Sequence, residues 1–356
     1  MEPRAGSRPA VVRSSIPRVC RTWLLGLLLV ITLGCSAGTP AGPEPADREL
    51  AERIARLRAD PPPILTGVVA NSGPPEDAAK IGVLDPPLVR VEFPIETSPA
   101  QIQPYVDAYA VEGTRVLLLA GFAGRTPTEP DARNLGRWAA AFGPASGRLL
   151  PVPAIEFGNE TSYTYQYDDS PQDESYTERA RTYARLAAVA SDAIRAVDPE
   201  VGLLVQADDA NTGPVWIDAM FDAVPDLAEH VTGWTIHPYG PGYDARLNRA
   251  RTQLSKHAAV RPLWITEWGL ALDDGRCLED NRGWDRCLDA EQAAAILLQV
   301  VADLARHDVG AFLVYQGYDQ RSPDVDSNPE RHYGVLTVQG NDKGVYTEAV
   351  RALWGR

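Results

Sequence analysis

Eight short apolar, β-rich runs punctuate the chain: ILTGVVA from residue 64, LVRVEF from 88, RVLLLAG from 115, VPAIEFG from 152, GLLVQAD from 202, TGWTIHP from 232, PLWITEW from 262 and AFLVYQG from 311. Most are separated by stretches whose apolar positions recur at helical spacing, such as AQIQPYVDAYA, ARTYARLAAVASDAIRAV and AEQAAAILLQVVADLARH. Strands that are apolar throughout, rather than alternating, belong to a parallel sheet buried on both faces by helices. Eight such units in succession predict an α/β fold, a (β/α)₈ TIM barrel formed as a single domain over residues 63–356. A doubly wound open sheet is the alternative, but no G-x-G-x-x-G follows the first strand.

The pattern before residue 63 is different. Residues 1–35 carry five arginines against one acid, then the 11-residue apolar run WLLGLLLVITL from Trp23 to Leu33. That run is too short to cross a hydrocarbon core of about 30 Å and reads as a signal peptide with a basic leading region. Leu33-Gly34-Cys35-Ser36 resembles a bacterial lipobox, with Thr32 where an aliphatic residue is usual, so lipidation is expected at Cys35. Residues 36–62 read as a Pro/Gly-rich tether with a short helix over 47–58, stopped by PPP at 61–63. The expected location is extracellular, anchored to the bacterial cell membrane as a lipoprotein.

Charge narrows the partners. The full chain has a formal charge of −14, and removal of residues 1–35 leaves 29 basic against 47 acidic residues, or −18. Such a field repels nucleic acid, so no nucleic-acid partner is expected and membrane contact is expected only through the lipid anchor. Of four cysteines, two lie in the leader region; Cys277 and Cys287 remain, close in sequence and in an oxidising compartment, which predicts a local disulfide. No H-x-H or H-E-x-x-H occurs, and no cofactor or metal is called for.

In a barrel of this class the reacting groups sit at the C-terminal ends of the strands. Ionisable residues at those ends are Glu160 after run four, His237 with Tyr239 after run six, and Glu267 in run seven. Strict alternation puts Ala154, Glu156, Gly158 and Glu160 on one face, Thr235, His237 and Tyr239 on another, and Leu263, Ile265 and Glu267 on a third. If those faces line the mouth, Glu160 and Glu267 oppose each other across it. Two facing carboxylates are what glycoside hydrolysis requires, one to protonate the leaving oxygen and one to attack or to activate water.

These residues resemble the clan A glycoside hydrolases, retaining (β/α)₈ enzymes, nearest in style to glycoside hydrolase family 39. The resemblance is carried by Asn159-Glu160 in IEFGNE, His237-Pro238-Tyr239 in TIHPYG, Glu267 in ITEWG and the terminal stretch YGVLTVQGNDKGVYTEAVRAL. It implies Glu160 as acid/base, Glu267 as nucleophile, and Asn159 as donor to the hydroxyl beside the reacting carbon. It also implies that His237 and Tyr239 position the pair and that Arg90 keeps Glu267 ionised. Thr161 stands where a proline often follows the acid/base, and Tyr315-Gln316-Gly317 where many members place a tryptophan.

Tyr163, Tyr165 and Tyr167, together with Trp268, Trp284, Tyr315 and Tyr318, are aromatics able to stack on sugar faces or simply to pack loop on loop. The expected function is a retaining glycoside hydrolase acting on an oligosaccharide or polysaccharide. The alternative is a carbohydrate-binding surface lipoprotein on a glycosidase-like barrel without turnover. An esterase would need a nucleophilic serine with a histidine in reach, and none is evident.

Overall fold

The computed structural model describes residues 45–70, 75–163, 175–207, 215–240, 242–272, 287–320 and 329–356. All of them lie in one compact unit, Glu44–Arg356. Cys277, Tyr165, Tyr167 and Trp284 lie outside the described residues, as do the leader, Cys35 and the first part of the tether, residues 36–44.

All eight apolar runs form strands: β1 Leu65–Ala70, β2 Leu88–Pro94, β3 Arg115–Gly121, β4 Ala154–Phe157, β5 Gly202–Gln206, β6 Gly233–Ile236, β7 Leu263–Trp268 and β8 Val309–Val314. They close in sequence order into a parallel barrel, with β1 paired to both β2 and β8. The helices are α1 Pro45–Ala59, α2 Asp77–Gly82, α3 Pro99–Val111, α4 Glu129–Phe142, α5 Tyr176–Arg195, α6 Val215–Ala223, α7 Leu227–His230, α8 Tyr243–Lys256, α9 Ala290–Leu304 and α10 Val345–Ala352. Starts are fixed by polar caps: Asp289 accepts from the Gln292 amide at 2.7 Å before α9, and Gln101 reaches back to the Ser98 amide at 3.1 Å before α3.

The helix foreseen within the tether belongs to the packed domain. Leu50 and Ile54 of α1 are buried in the same apolar cluster as the strand–helix interface, and Arg58 Nε donates to the carbonyl of Arg356 at 2.5 Å. An amphipathic period shows which face a helix buries, but not which partner covers it.

Two apolar layers result. Outward-facing strand residues such as Val89, Val91, Ile155, Phe157, Trp234, Ile236, Leu263, Ile265 and Phe312 pack under the helices. The smaller inner layer is Val69, Leu88, Leu117, Ala154, Leu204, Trp264, Ala311 and Leu313. Trp264 fits inside so narrow a barrel because β6 offers Gly233, where a Cβ would stand 2.6 Å from the indole. Above this layer the interior turns polar, with Arg90, Glu156, Gln206, Thr235, His237, Thr266 and Gln316 all buried. The tapering apolar floor thus presents its charged residues only at the C-terminal ends of the strands.

Strand β7 departs from simple alternation. Ile265 pairs with Phe312 and Trp268 with Val314, so three steps along β7 match two along β8, and one extra residue is accommodated. This bulge explains why Leu263 and Ile265 face the helices, contrary to the alternation expected from sequence, while Trp264, Thr266 and Glu267 all face the interior.

Candidate active site

Arg90 organises the mouth of the barrel. Its side chain rises inside from β2 and is 2 % exposed. Nε donates to Glu156 Oε2 at 2.6 Å, Nη1 to Glu267 Oε1 at 2.5 Å and Nη2 to Asn159 Oδ1 at 2.8 Å. One planar fork thereby ties β2 to the ends of β4 and β7. Burial works against the guanidinium's charge, but the fields of Glu156 and Glu267 outweigh it and hold the proton more tightly than usual.

Glu267 is locked at both oxygens. Oε1 accepts from Arg90, and Oε2 accepts from the Tyr239 hydroxyl at 2.8 Å and lies 3.6 Å from His237 Nδ1. Burial alone would raise its pKa; the charges of His237 and Arg90, with hydrogen bonds from Tyr239 and Arg90, reverse that and lower it. Glu267 is therefore a buried carboxylate held ionised.

Glu160 reaches the same point from a turn. Strand β4 ends at Phe157; Gly158 follows with φ 80°, and Glu160 itself has φ 42°. A Cβ at Gly158 would meet Thr161 at 2.4 Å and the Phe122 ring at 2.7 Å, so the turn needs glycine there. A glutamate in the left-handed region costs on the order of 1–2 kcal/mol, and such strain tends to mark functional positions. Two bonds hold the turn: Thr161 N–H donates to Gln206 Oε1 and Tyr163 N–H to the Glu160 carbonyl, both at 2.9 Å. The first gives Thr161 a structural role that a proline, lacking the N–H, could not fill.

Between the glutamates stands His237, 1 % exposed. Its Nδ1 is 3.1 Å from Glu160 Oε1 and its Nε2 3.1 Å from Thr266 Oγ1, while Thr266 donates to Glu156 Oε1 at 2.9 Å. Burial opposes its charge, yet the field of Glu267 and the hydrogen bond to Glu160 raise its pKa to about 9. A pKa raised on folding contributes stability that is complete below the ordinary imidazole value of 6.5 and is lost as pH climbs to about 9. Denaturant midpoints are expected to fall across that window in the parent protein and to lose this component in His237→Gln; an unchanged slope would contradict the charge assignment.

One oxygen from each of Glu160 and Glu267 and a ring nitrogen of His237 lie within 4.8 Å of one another. A cation could bridge such a set, but the positive charge at Glu267 is already supplied by Arg90.

Asn159, Glu160, His237, Tyr239, Arg90 and Glu267 are brought together. Tyr315, partly buried at the end of β8, stands edge-on to Tyr239 with ring centroids 6.2 Å apart. Trp268 is not brought to the site: it is 1 % exposed and packs outward against Phe312. Tyr318 turns aside to α2, its hydroxyl donating to Asp77 and its ring lying under Lys80 Nζ at 4.1 Å.

Two further residues, Thr266 and Tyr333, escaped sequence reasoning. Thr266 was hidden by the bulge. Tyr333, from the segment after β8, packs on both Tyr239 and Tyr315 with centroids 5.8 and 5.9 Å away; it opens the terminal stretch that carries the resemblance, but no strand or helix pattern assigned it to the site. Glu92 projects inward from β2 beside Gly121, where a Cβ would meet Glu92 Oε1 at 2.1 Å. Burial raises the Glu92 pKa against the opposing field of Arg90, and it makes no hydrogen bond or ion pair with any described residue.

No protein-family model matches this sequence, and no curated protein matches it. Solved structures do. The chain superposes on the virulence factor SghA from Agrobacterium tumefaciens with a TM-score of 0.57 at 13% identity, covering 85% of this chain and 100% of that one. A complex of SghA with its substrate analogue salicin gives 0.58 at 13% identity, covering 89% and 100%. A Bacteroides uniformis β-glucuronidase gives 0.54 at 13% identity over 80% of this chain, which spans only 34% of that enzyme. At such identities the likeness establishes the fold shared with these proteins, the closed eight-stranded (β/α)₈ barrel.

Proposed function

We propose that the protein is a retaining glycoside hydrolase with Glu160 as acid/base and Glu267 as nucleophile. The observation that carries this reading is the pair's geometry: an oxygen of each carboxyl group within 4.8 Å of one on the other at the barrel mouth, one carboxylate held ionised by a buried arginine. Retaining enzymes space their carboxyl groups about 5–5.5 Å apart, whereas inverting enzymes need about 6.5–9.5 Å to admit a water. Similarity in fold to a β-glucuronidase and to SghA bound to salicin supports a sugar substrate.

In the first step a Glu267 oxygen bonds to the anomeric carbon as the glycosidic bond breaks. The bond's electron pair goes to the leaving oxygen, which takes the proton of Glu160. In the second, water gives a proton to Glu160 and its oxygen displaces Glu267, returning that electron pair to the carboxylate. Arg90 and Tyr239 hold Glu267 aligned before attack and stabilise it on departure. Asn159, fixed by Arg90 through its oxygen, turns its amide toward a hydroxyl next to the reacting carbon. Tyr315 and Tyr239, backed by the buried Tyr333, offer an apolar wall for the sugar.

Family 39 is the proposed affinity within the clan. Residues 1–35 are proposed to direct export, with Cys35 lipidated and Cys277 joined to Cys287. Among the described residues no helix is long and apolar enough to cross a membrane.

Turnover of a panel of activated aryl glycosides by the purified protein tests the activity. Release of the aryl group from at least one member, with retained anomeric configuration in the first-formed sugar by NMR, is expected. Oligosaccharide binding with no turnover across the panel would replace hydrolysis with recognition alone.

A further inference from the structure

Thr266 lies fully buried between two groups with different needs. Glu156 is paired through Oε2 with Arg90, so its carboxylate can only accept, and Oε1 takes the single hydroxyl proton of Thr266 at 2.9 Å. The Thr266 oxygen therefore has only lone pairs to offer His237 Nε2, 3.1 Å away, and Nε2 must carry a hydrogen to fill that contact. Any proton exchanged by the ring is then on Nδ1, which points at Glu160 Oε1 at 3.1 Å.

We propose that Thr266 is a positioning residue that fixes His237 as the Nε2–H tautomer, making His237 Nδ1 and Glu160 Oε1 a pair that shares one proton. The inference rests on the reading of Glu160 as acid/base, and it assigns the proton a store. Before the first step the proton lies between the two atoms, on either side. Delivery to the leaving oxygen leaves a Glu160 carboxylate facing an Nδ1 lone pair, two acceptors with no hydrogen between them. That opposition is relieved when Glu160 takes a proton from the incoming water, so the same contact that holds the acid also favours the base.

The charged and titratable groups facing His237 are consistent with this circuit. Glu160 and Glu267 face Nδ1 from the ends of β4 and β7, Glu156 acts through Thr266, and Arg90 opposes from β2. Tyr239, two residues on, is bonded to Glu267, and Arg246 of α8 donates to the His237 carbonyl at 3.2 Å rather than to the ring.

The chain has five histidines, few enough for their ring nitrogens to be resolved by ¹⁵N NMR. In the parent protein, above the pH at which the ring turns neutral, Nε2 of His237 is expected to keep its proton; a neutral ring protonated on Nδ1 overturns the proposal without any variant. Thr266→Val removes the hydroxyl at nearly constant shape and should let the Nδ1–H form appear. It should also lower kcat about tenfold and displace the basic limb of the pH profile, with Thr266→Ser restoring both. An unaltered tautomer in Thr266→Val, or an unaltered pH profile beside a changed tautomer, overturns it. If no glycoside is turned over, the acid/base reading fails by that result, and the NMR arm still decides what Thr266 does.

Discussion

Glu267→Ala is expected to lose on the order of 10⁴-fold or more in kcat on an aryl glycoside, because no other described side chain stands ready to bond to the anomeric carbon. Added azide should recover part of the rate by direct displacement, giving a glycosyl azide of anomeric configuration opposite to the substrate. Glu160→Ala should behave differently. With a good aryl leaving group the first step needs little acid, so the covalent intermediate accumulates, and azide should release it as a glycosyl azide of the substrate's own configuration. Product NMR of the two variants therefore separates nucleophile from acid/base in one experiment. Identical azide anomers from both would exclude the assignment of roles, and full activity in either would exclude that residue from the chemistry.

Arg90→Met is expected to be the most destabilising single change at the site, by about 3–5 kcal/mol. The loss follows from what is left behind: Glu156, 1 % exposed, and Glu267, 8 % exposed, would both keep their burial and lose their cation. Chemical denaturation at pH 7 measures it. Because neutralising the orphaned carboxylates removes the penalty, the deficit should shrink as pH falls, opposite to the parent, where the lowered pKa of Glu267 makes acid destabilising. Arg90→Lys keeps a charge but cannot hold three partners in one plane, and should fall between parent and Met. A deficit under about 1 kcal/mol, independent of pH, would mean that the network is not the source of the strand-end order.

The barrel was legible because parallel strands are buried on both faces, so each announces itself as an unbroken apolar run whatever its neighbours are. The carboxylate pair was legible because Glu160 and Glu267 end two such runs, and a charge ending an apolar strand can be placed on a particular rim. What could not be read was anything set by register or by distant contact. Alternation put Thr266 on the helix side, and only the pairing of β7 with β8 shows the extra residue that turns it inward. It assigned Glu267 to the site by counting from Leu263 and Ile265, yet those two face outward and Glu267 arrives there through the bulge. Trp268 looked like a sugar platform because it was placed in the loop after run seven, but it is the last residue of β7 and packs against Phe312, a residue far away in the chain. Tyr333 had the converse problem, joining the tyrosine cluster from a segment with no strand or helix pattern.

The bulge also sets a rule for insertions and deletions. Side-chain direction along a strand has a period of two, so one residue more or less acts as a frameshift within the folded protein. Thr266 and Glu267 are the only residues between Ile265 and Trp268, so a single deletion there restores the simple frame with β8 only by taking away one of the two inward groups. The cleft would keep either the hydroxyl that faces His237 or the carboxylate that Arg90 holds, but not both. The chain would keep its apolar runs, and any comparison blind to frame would score it as nearly unchanged. Relatives that preserve this chemistry are therefore expected to preserve the length of β7 between those positions more strictly than the identity of the residues in it.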